Sequence, residues 1–581
     1  MISLYLSSAV SVFAQSSMGN VAGRKLISLN GKWNIIIDPN DAGERNGIGR
    51  AAKAKGTTDF FEYSFDASPT LWVPGDFNSQ LPELTYYEST VWYKKSFNYK
   101  KSDKRLFLHF GAVNYIADVY LNGEKLGSHE GGFTPFQFEI TDKVKEQNDV
   151  VVRVNNQRRK DGIPATGYDW FNYGGINRDV NLIETPSTFI EDYFVQLKKG
   201  SSNVIKGWVK INGGNASQQV HINIPEIKIN ETVTTDDAGF APIEFNAAVQ
   251  LWSPEKPKLY AVTVTSETDA VKEMIGFRTI ATKGTEILLN GKSIFLKGVN
   301  IHEEVSAERR KAVNEKDAEQ FLKAAKELGC NFVRLTHYPH NEYMVRLADK
   351  MGIMLWEEIP LWQGIAFDDP ALQPKMDLMM KEMIQRDKNR SSIIIWSLSN
   401  ETSPSTARTQ SLIKLAALAK QKDSTRLIGS AIYKIAFNKN QVNVDDSLSM
   451  VLDVVGVNAY LGWYRPWVAD PAAYVWKFDF NKPLIMSEFG GEALYGHHGS
   501  ADTASNWTEE YQERIYKDNI TMLKNIPFLR GTVPWVLYDF RSANRMHSMY
   551  QKGWNRKGLL SDKGEKKKAW YIMKAYYQSI K

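Results

Sequence analysis

Ile393-Ile394-Ile395-Trp396-Ser397-Leu398-Ser399-Asn400-Glu401 reads as a β-strand that runs straight into an Asn-Glu pair. Amphipathic stretches lie on either side of it, at 375–386 and 409–420, with apolar residues at helical spacing. The same alternation extends outward in both directions. Strands are predicted at 294–299, 331–335, 353–356, 392–396, 426–428, 453–457, 484–487 and 532–536, and further helices at 315–328 and 342–351. Eight strand–helix units over residues 284–581 are the arithmetic of a (β/α)8 TIM barrel.

Upstream the pattern is different. Trp33-Asn34-Ile35-Ile36-Ile37, Leu106-Phe107-Leu108-His109-Phe110 and Ala117-Asp118-Val119-Tyr120-Leu121 are short alternating strands, the last ending on the hairpin pair Asn122-Gly123. This spacing predicts an antiparallel sandwich. Thr185-Pro186 marks its end, because a residue before proline is pushed into extended backbone. A second set of short strands over about 187–282 has the size of an immunoglobulin-like module. A chain of 581 residues is too long for one core, so a multidomain β plus α/β protein is expected.

Composition narrows the function classes. The net charge of +6 is spread along the chain, whereas nucleic-acid binding calls for a basic stripe. Aromatic residues reach 12%, which suits sandwich cores and also the stacking walls of sugar sites, although any single ring is more often core. Cys330 is the only cysteine, so no intrachain disulfide can form and a buried, inert thiol is expected. Residues 1–17 resemble a signal peptide, with an apolar run and a small residue near Ala14 but no basic start. A secreted or periplasmic protein is therefore expected, and no apolar segment is long enough to predict a membrane span.

Active sites of barrels sit at the C-terminal ends of the strands. The fourth strand ends in Asn400-Glu401, and Pro483-Leu484-Ile485-Met486-Ser487-Glu488 delivers a glutamate directly off the seventh. The two glutamates are 87 residues apart, about three units at roughly 30 residues per unit. Two carboxylates across a barrel mouth, about 5–5.5 Å apart, are what retaining glycoside hydrolysis needs: one attacks the anomeric carbon while the other protonates the departing oxygen. Asn400 is placed to hold the sugar 2-hydroxyl. A single glutamate at a strand end serves as often to cap a helix or pair an arginine; the two together on these strands argue for chemistry. Glu357 and Glu358, after the third strand, are rival carboxylates, read instead as ion-pair partners.

The chain resembles glycoside hydrolase family 2 from about residue 26 onward. Leu29-Asn30-Gly31-Lys32-Trp33 and Val73-Pro74-Gly75-Asp76 are similar to its N-terminal domain. Leu289-Asn290-Gly291-Lys292 and Leu296-Lys297-Gly298-Val299-Asn300-Ile301-His302-Glu303 are similar to its barrel entry, and Arg334-Leu335-Thr336-His337-Tyr338-Pro339 to its second strand. Ser399-Asn400-Glu401 resembles the acid/base motif and Ser487-Glu488-Phe489-Gly490 the nucleophile motif. The resemblance implies a jelly-roll sugar-binding domain at 26–185, an immunoglobulin-like β-sandwich at 186–283 and a catalytic TIM barrel at 284–581. It also implies Glu401 as general acid/base, Glu488 as nucleophile, and no organic cofactor. No cluster has the spacing of a structural zinc site, and no catalytic metal is expected, although some neutral-sugar members of the family use Mg²⁺ and Na⁺.

Within the family the likeness is greatest to bacterial β-glucuronidases. Trp554-Asn555-Arg556-Lys557-Gly558 resembles their Asn-x-Lys motif, in which the amide and the ammonium hold the C6 carboxylate of a uronic acid. By the same resemblance Asp169 reaches the sugar, Tyr460 orients the nucleophile, Tyr464 contacts the uronate and Trp535 forms the floor under the ring. His302 and His337 fall at the barrel mouth. Asn177 stands where many β-glucuronidases have histidine, and the stretch 541–553 is longer than in the best-known bacterial members, where Arg545 could add a second cation. The connection between Trp356 and Lys375 is short, which in the family goes with open sites and glycan substrates. The expected partner is a uronic acid-containing glycan or conjugate, with homo-oligomerisation left open and neither nucleic acid nor membrane expected. A β-galacturonidase or β-galactosidase is the alternative; a catalytically dead carbohydrate-binding protein is disfavoured because both carboxylates are present.

Overall fold

The computed structural model describes residues 13–51, 63–214, 217–432, 435–502 and 507–580. Most of the expected export signal, residues 1–12, lies outside the described residues. The chain divides into two compact units, residues 1–157 with 172–187, and residues 158–171 with 188–581.

The first unit is built on a five-stranded and a six-stranded sheet whose strand pairs are antiparallel. Period-two alternation makes the sandwich: along Gly31–Asp38, Trp33 and Ile35 are fully buried while Asn34 between them is not. They join Leu108, Phe110, Val119 and Val152 in one core. Asn122 and Gly123 connect Ile116–Leu121 to Glu124–Glu130 with φ of 52° and 87°, the left-handed pair that a tight hairpin needs.

In the second unit, a three-stranded and a four-stranded antiparallel sheet enclose Ile190, Val209, Val220, Ile222 and Val262, the immunoglobulin-like sandwich. A nine-stranded sheet follows, and each of its pairings is parallel. Its two end members, Leu296–Lys297 and Asn300–His302, are consecutive pieces of one segment. The first pairs with Leu529–Thr532 and the second with Phe332–Thr336, so the sheet closes on itself as an eight-stranded barrel. Strands two to eight are Phe332–Thr336, Met354–Glu358, Ile393–Asn400, Leu427–Ile432, Val454–Asn458, Leu484–Glu488 and Leu529–Thr532.

Six α-helices are found among the described residues: α1 (Glu315–Leu328), α2 (Glu342–Met351), α3 (Leu372–Asp387), α4 (Thr406–Lys422), α5 (Glu509–Leu523) and α6 (Lys568–Ser579). Their ends follow from local chemistry. Asn314 caps α1 by accepting from the Asp317 N–H, and Gly329, at φ 97°, stops it.

Three expectations need correction. The first strand breaks at Gly298-Val299 instead of running through 294–299. The eighth ends at Thr532, before the predicted 532–536, because Pro534 has no N–H to continue a ladder. The helices expected after strands five and six are absent among the described residues. After strand five come a hairpin (Ile435–Asn438, Gln441–Val444) and a short 3-10 turn, and after strand six another 3-10 turn, Pro471–Ala473. Pro466, Pro471 and Pro483 break helical continuity in that second connection.

Candidate active site

The C-terminal ends of the strands surround a cavity of about 550 Å³. Of the residues singled out in the sequence, Asp169, His302, His337, Glu401, Tyr460, Tyr464, Glu488, Trp535, Arg545, Asn555 and Lys557 line it. Asn400 is not among the lining residues; it is buried beside Glu401, which is.

Glu488, the last residue of strand seven, has both oxygens engaged. Oε1 accepts from Arg334 Nη1 (2.9 Å) and Oε2 from the Tyr460 hydroxyl (2.6 Å). Arg334 is fully buried on strand two and also donates from Nε and Nη2 to Glu358 (3.1 and 2.9 Å) and from Nη2 to Asn400 Oδ1 (2.7 Å). Burial pushes Glu488 up to about 8: Arg334 opposes this, the charge of Glu401 adds to it, and the hydrogen bonds of Tyr460 and Arg334 oppose it. Glu358 is held down by Arg334 and His337, which overcome its burial.

Glu401 follows strand four with φ 50°, in left-handed backbone. Neutral amides hold its carboxylate: Gln363 Nε2 donates to Oε2 (2.8 Å) and Asn458 Nδ2 to Oε1 (3.0 Å). Asn400 Oδ1 is taken by Arg334 and Asn458, whereas its Nδ2 is buried without a hydrogen-bond partner among the described residues. A buried orphan donor next to a cleft is costly unless something that binds there accepts from it.

His337 closes the floor. Its Nδ1 lies 2.7 Å from Glu358 Oε1, and its ring stacks on Trp535 at 5.0 Å between centroids. Burial drives it down to about 4 despite Glu358, so it is neutral. His302 meets the edge of Trp535 at 5.3 Å and is likewise kept neutral by burial.

The far end of the cavity is charged. Lys557, buried, donates to the Tyr464 hydroxyl (2.9 Å) and to Glu492 Oε1 (3.1 Å). Burial works against the lysine charge, but Glu492 and Tyr464 raise its pKa overall. Burial also opposes the charge on Glu492, yet Lys557, Gln551, Arg545 and Trp507 hold it down to about 2. Arg545 Nε straddles the Asp169 carboxylate at 3.1 and 3.0 Å, and Ser542 and Asn555 donate to the same group. Asp169 itself packs with the barrel unit.

Several of these residues had no role assigned from sequence. Arg334 lay inside a quoted motif, and its position two residues before Thr336 on an inward-facing strand was the available signal. Gln363, Asn458 and Glu492 carried none, since each is defined by a partner 38 to 65 residues away. Among the described residues no three His, Cys, Asp or Glu side chains are arranged to hold a metal ion.

Family comparison agrees with this geometry. The model of the glycosyl hydrolases family 2 TIM barrel domain matches residues 280–581, that of the family's sugar binding domain residues 26–186, and a third model of the family residues 188–278. The chain belongs to glycoside hydrolase family 2. It is a glycoside hydrolase with that family's three-part fold, as its motifs suggested. A β-glucuronidase of Bacteroides fragilis is 32% identical over 81% of this chain and 72% of its own length. One from Paenibacillus borealis is 26% identical over 94% of this chain and 96% of its own. The solved structure of the Ruminococcus gnavus β-glucuronidase in complex with D-glucuronic acid superposes with a TM-score of 0.83 at 25% identity, covering 97% of this chain and all of that one.

Proposed function

We propose that this family 2 hydrolase is a retaining exo-β-glycosidase that removes terminal β-D-glucuronic acid from glycans or glucuronides by double displacement. One observation carries the reading: Lys557 and Asn555 line the same cavity as Glu401 and Glu488. An ammonium has three donors. Tyr464 and Glu492 take two of those on Lys557, which leaves one N–H without a partner among the described residues for the C6 carboxylate of a uronic acid. Glu492, behind the lysine, keeps it charged in a buried place. The relatives named above act as further support, since they are β-glucuronidases and one holds D-glucuronic acid.

In this reading Glu488 attacks the anomeric carbon while Glu401 protonates the glycosidic oxygen; the bond from that carbon to the leaving group breaks, the leaving group departs as the alcohol, and the sugar remains as an ester on Glu488. Glu401 then deprotonates a water that releases the sugar. Asn400 Nδ2 donates to the 2-hydroxyl, and Trp535 with His337 supports the ring.

The test is kcat/KM on nitrophenyl β-D-glucuronide, galacturonide and galactoside, for the native enzyme and Lys557→Ala. The glucuronide should be preferred, and the variant should lose about 1.5–3 kcal/mol on it, roughly 10- to 150-fold. A galactoside cleaved as well as the glucuronide, with no response to the variant, ends the uronate reading. Faster cleavage of the galacturonide moves the specificity to that sugar. We also propose export, supported by the apolar run of residues 2–14. Sequencing the N-terminus of protein recovered outside the cytoplasm should find a start near Gln15; an intact Met1 there would refute cleavage.

A further inference from the structure

The cavity has a second cationic wall that the reaction above does not use. Strand five, next to the strand that carries Glu401, leads into the hairpin Ile435–Asn438 and Gln441–Val444. Alternation along its first strand turns Ile435 and Phe437 toward the cavity, and both line it. The hairpin is anchored. Val475–Lys477 adds a third strand to it, Asn440 exchanges hydrogen bonds with Ala473 and Val475, and Val442 and Val444 are buried.

Arg465 also lines the cavity, and its guanidinium carbon lies 3.9 Å from the centroid of the Phe437 ring. A guanidinium held over a ring still presents N–H groups at its rim, where a planar or tetrahedral oxyanion meets them in a fork. Its backbone is fixed, since Gly462 donates to the Arg465 carbonyl (2.7 Å) and Arg465 N–H to the Tyr460 carbonyl (3.3 Å). The other cations of the cleft are matched: Arg334 by Glu358 and Glu488, Lys557 by Glu492 and Arg545 by Asp169. Among the described residues Arg465 has no carboxylate partner. The uronate end is built by the segment after strand eight together with Tyr464, whereas Phe437, on which the Arg465 guanidinium rests, comes from the connection after strand five, beside the strand that carries Glu401. Phe437 thus draws Arg465 toward the side on which Glu401 releases the leaving group.

We infer that the Phe437–Arg465 pair forms a leaving-group subsite for a sugar bearing a negative charge, a carboxylate or a sulfate. The ring orients the guanidinium, and the guanidinium binds the anion of the residue next to the scissile bond. This rests on the glucuronidase reading above.

The test compares kcat/KM on three glucuronosyl disaccharides that differ only in the reducing sugar: neutral, C6 carboxylate and 6-sulfate. Nitrophenyl glucuronide is run in parallel. The native enzyme should favour a charged disaccharide over the neutral one by about 10-fold, the effect of one charge-assisted contact, and the preference should shrink as salt is raised. Whichever charged sugar gains more identifies the anion. Arg465→Gln should bring that ratio to about one, and Phe437→Ala should lower it without touching the cation itself. Cleavage of nitrophenyl glucuronide with no preference among the disaccharides overturns the subsite alone. An equal loss on all four substrates in Arg465→Gln overturns it too, by making Arg465 a contact to the glucuronic acid. No cleavage of any glucuronide overturns the functional reading and the subsite together.

Discussion

The two catalytic carboxylates proposed for this cleft stand in opposite surroundings. On the seventh-strand wall, Glu488 is 4% exposed and both its oxygens are fixed, one by a buried arginine shared with Glu358 and the other by a tyrosine hydroxyl. On the fourth-strand wall, Glu401 is partly exposed and touched by two neutral amides. The contrast matches the two tasks. A nucleophile has one charge state at the moment of attack and gains from a cation that opposes the burial working against that charge and that aims the carboxylate. An acid/base must give up a proton and then take one back. A fixed cation would trap it in its ionised form, whereas amides hold its position while leaving its charge free to change.

The strongest way to break this comparison is to neutralise the seventh-strand wall. Glu488→Gln keeps the shape and removes the charge, so kcat should fall by about 10⁴-fold or more. Covalent labelling by a 2-fluoro glucuronide, read by mass spectrometry, should vanish. Persisting label would place the nucleophile elsewhere.

Neutralising the other wall should cost less and leave a different mark. Glu401→Gln should lose about 10²- to 10⁴-fold on glycans, whose leaving groups need protonation, and much less on dinitrophenyl glucuronide. The pH profile sharpens the point. Burial, with the Glu401 charge beside it, pushes Glu488 up to about 8 against Arg334. Attack needs Glu488 ionised, so in the native enzyme kcat/KM on dinitrophenyl glucuronide, whose leaving group needs no proton, should rise with pH toward about 8. Glu401→Gln removes a charge that adds to the upward shift, so the same rise should come at lower pH in the variant. A rise that stays in place would assign it to another group.

Legibility in the sequence followed the range of the interactions. Helices α1 and α2 begin and end at the predicted residues because their signals are local, as with the Asn314 cap and the Gly329 stop. Glu401 and Glu488 were legible because each ends its own strand. Strand eight was misplaced because Val533 and Val536 have the look of a strand, while the deciding residue is Pro534, which cannot donate. The missing helices after strands five and six belong to the same lesson: those connections are spent on the hairpin and on the Tyr460–Arg465 turn, which build the cavity wall instead of the outer ring. Nothing local announces that Arg334, Glu358, Asn400 and Glu488, from four strands, share one hydrogen-bonded network. That network exists only once the barrel closes.

The smallest expected effect tests how neutral donors govern the acid. Gln363 sits at φ 45°, and its loop is pinned to strand four by two backbone bonds, Gln363 N–H to the Asn400 carbonyl (3.0 Å) and Asn400 N–H to the Leu361 carbonyl (2.8 Å). Its amide therefore meets Glu401 in a fixed place. Gln363→Met removes that donor and keeps the length, so it should weaken the acid's help to the leaving group: kcat/KM should fall on glycans and stay near native on dinitrophenyl glucuronide, whose leaving group needs no proton. One neutral hydrogen bond contributes about 0.5–1.5 kcal/mol, so the loss on glycans should be no more than about 10-fold. A merely structural glutamine would lower Tm and depress cleavage of both substrates alike. An equal fall on both would mean that the amide does not serve the acid, and the contrast between the two walls would have to be redrawn.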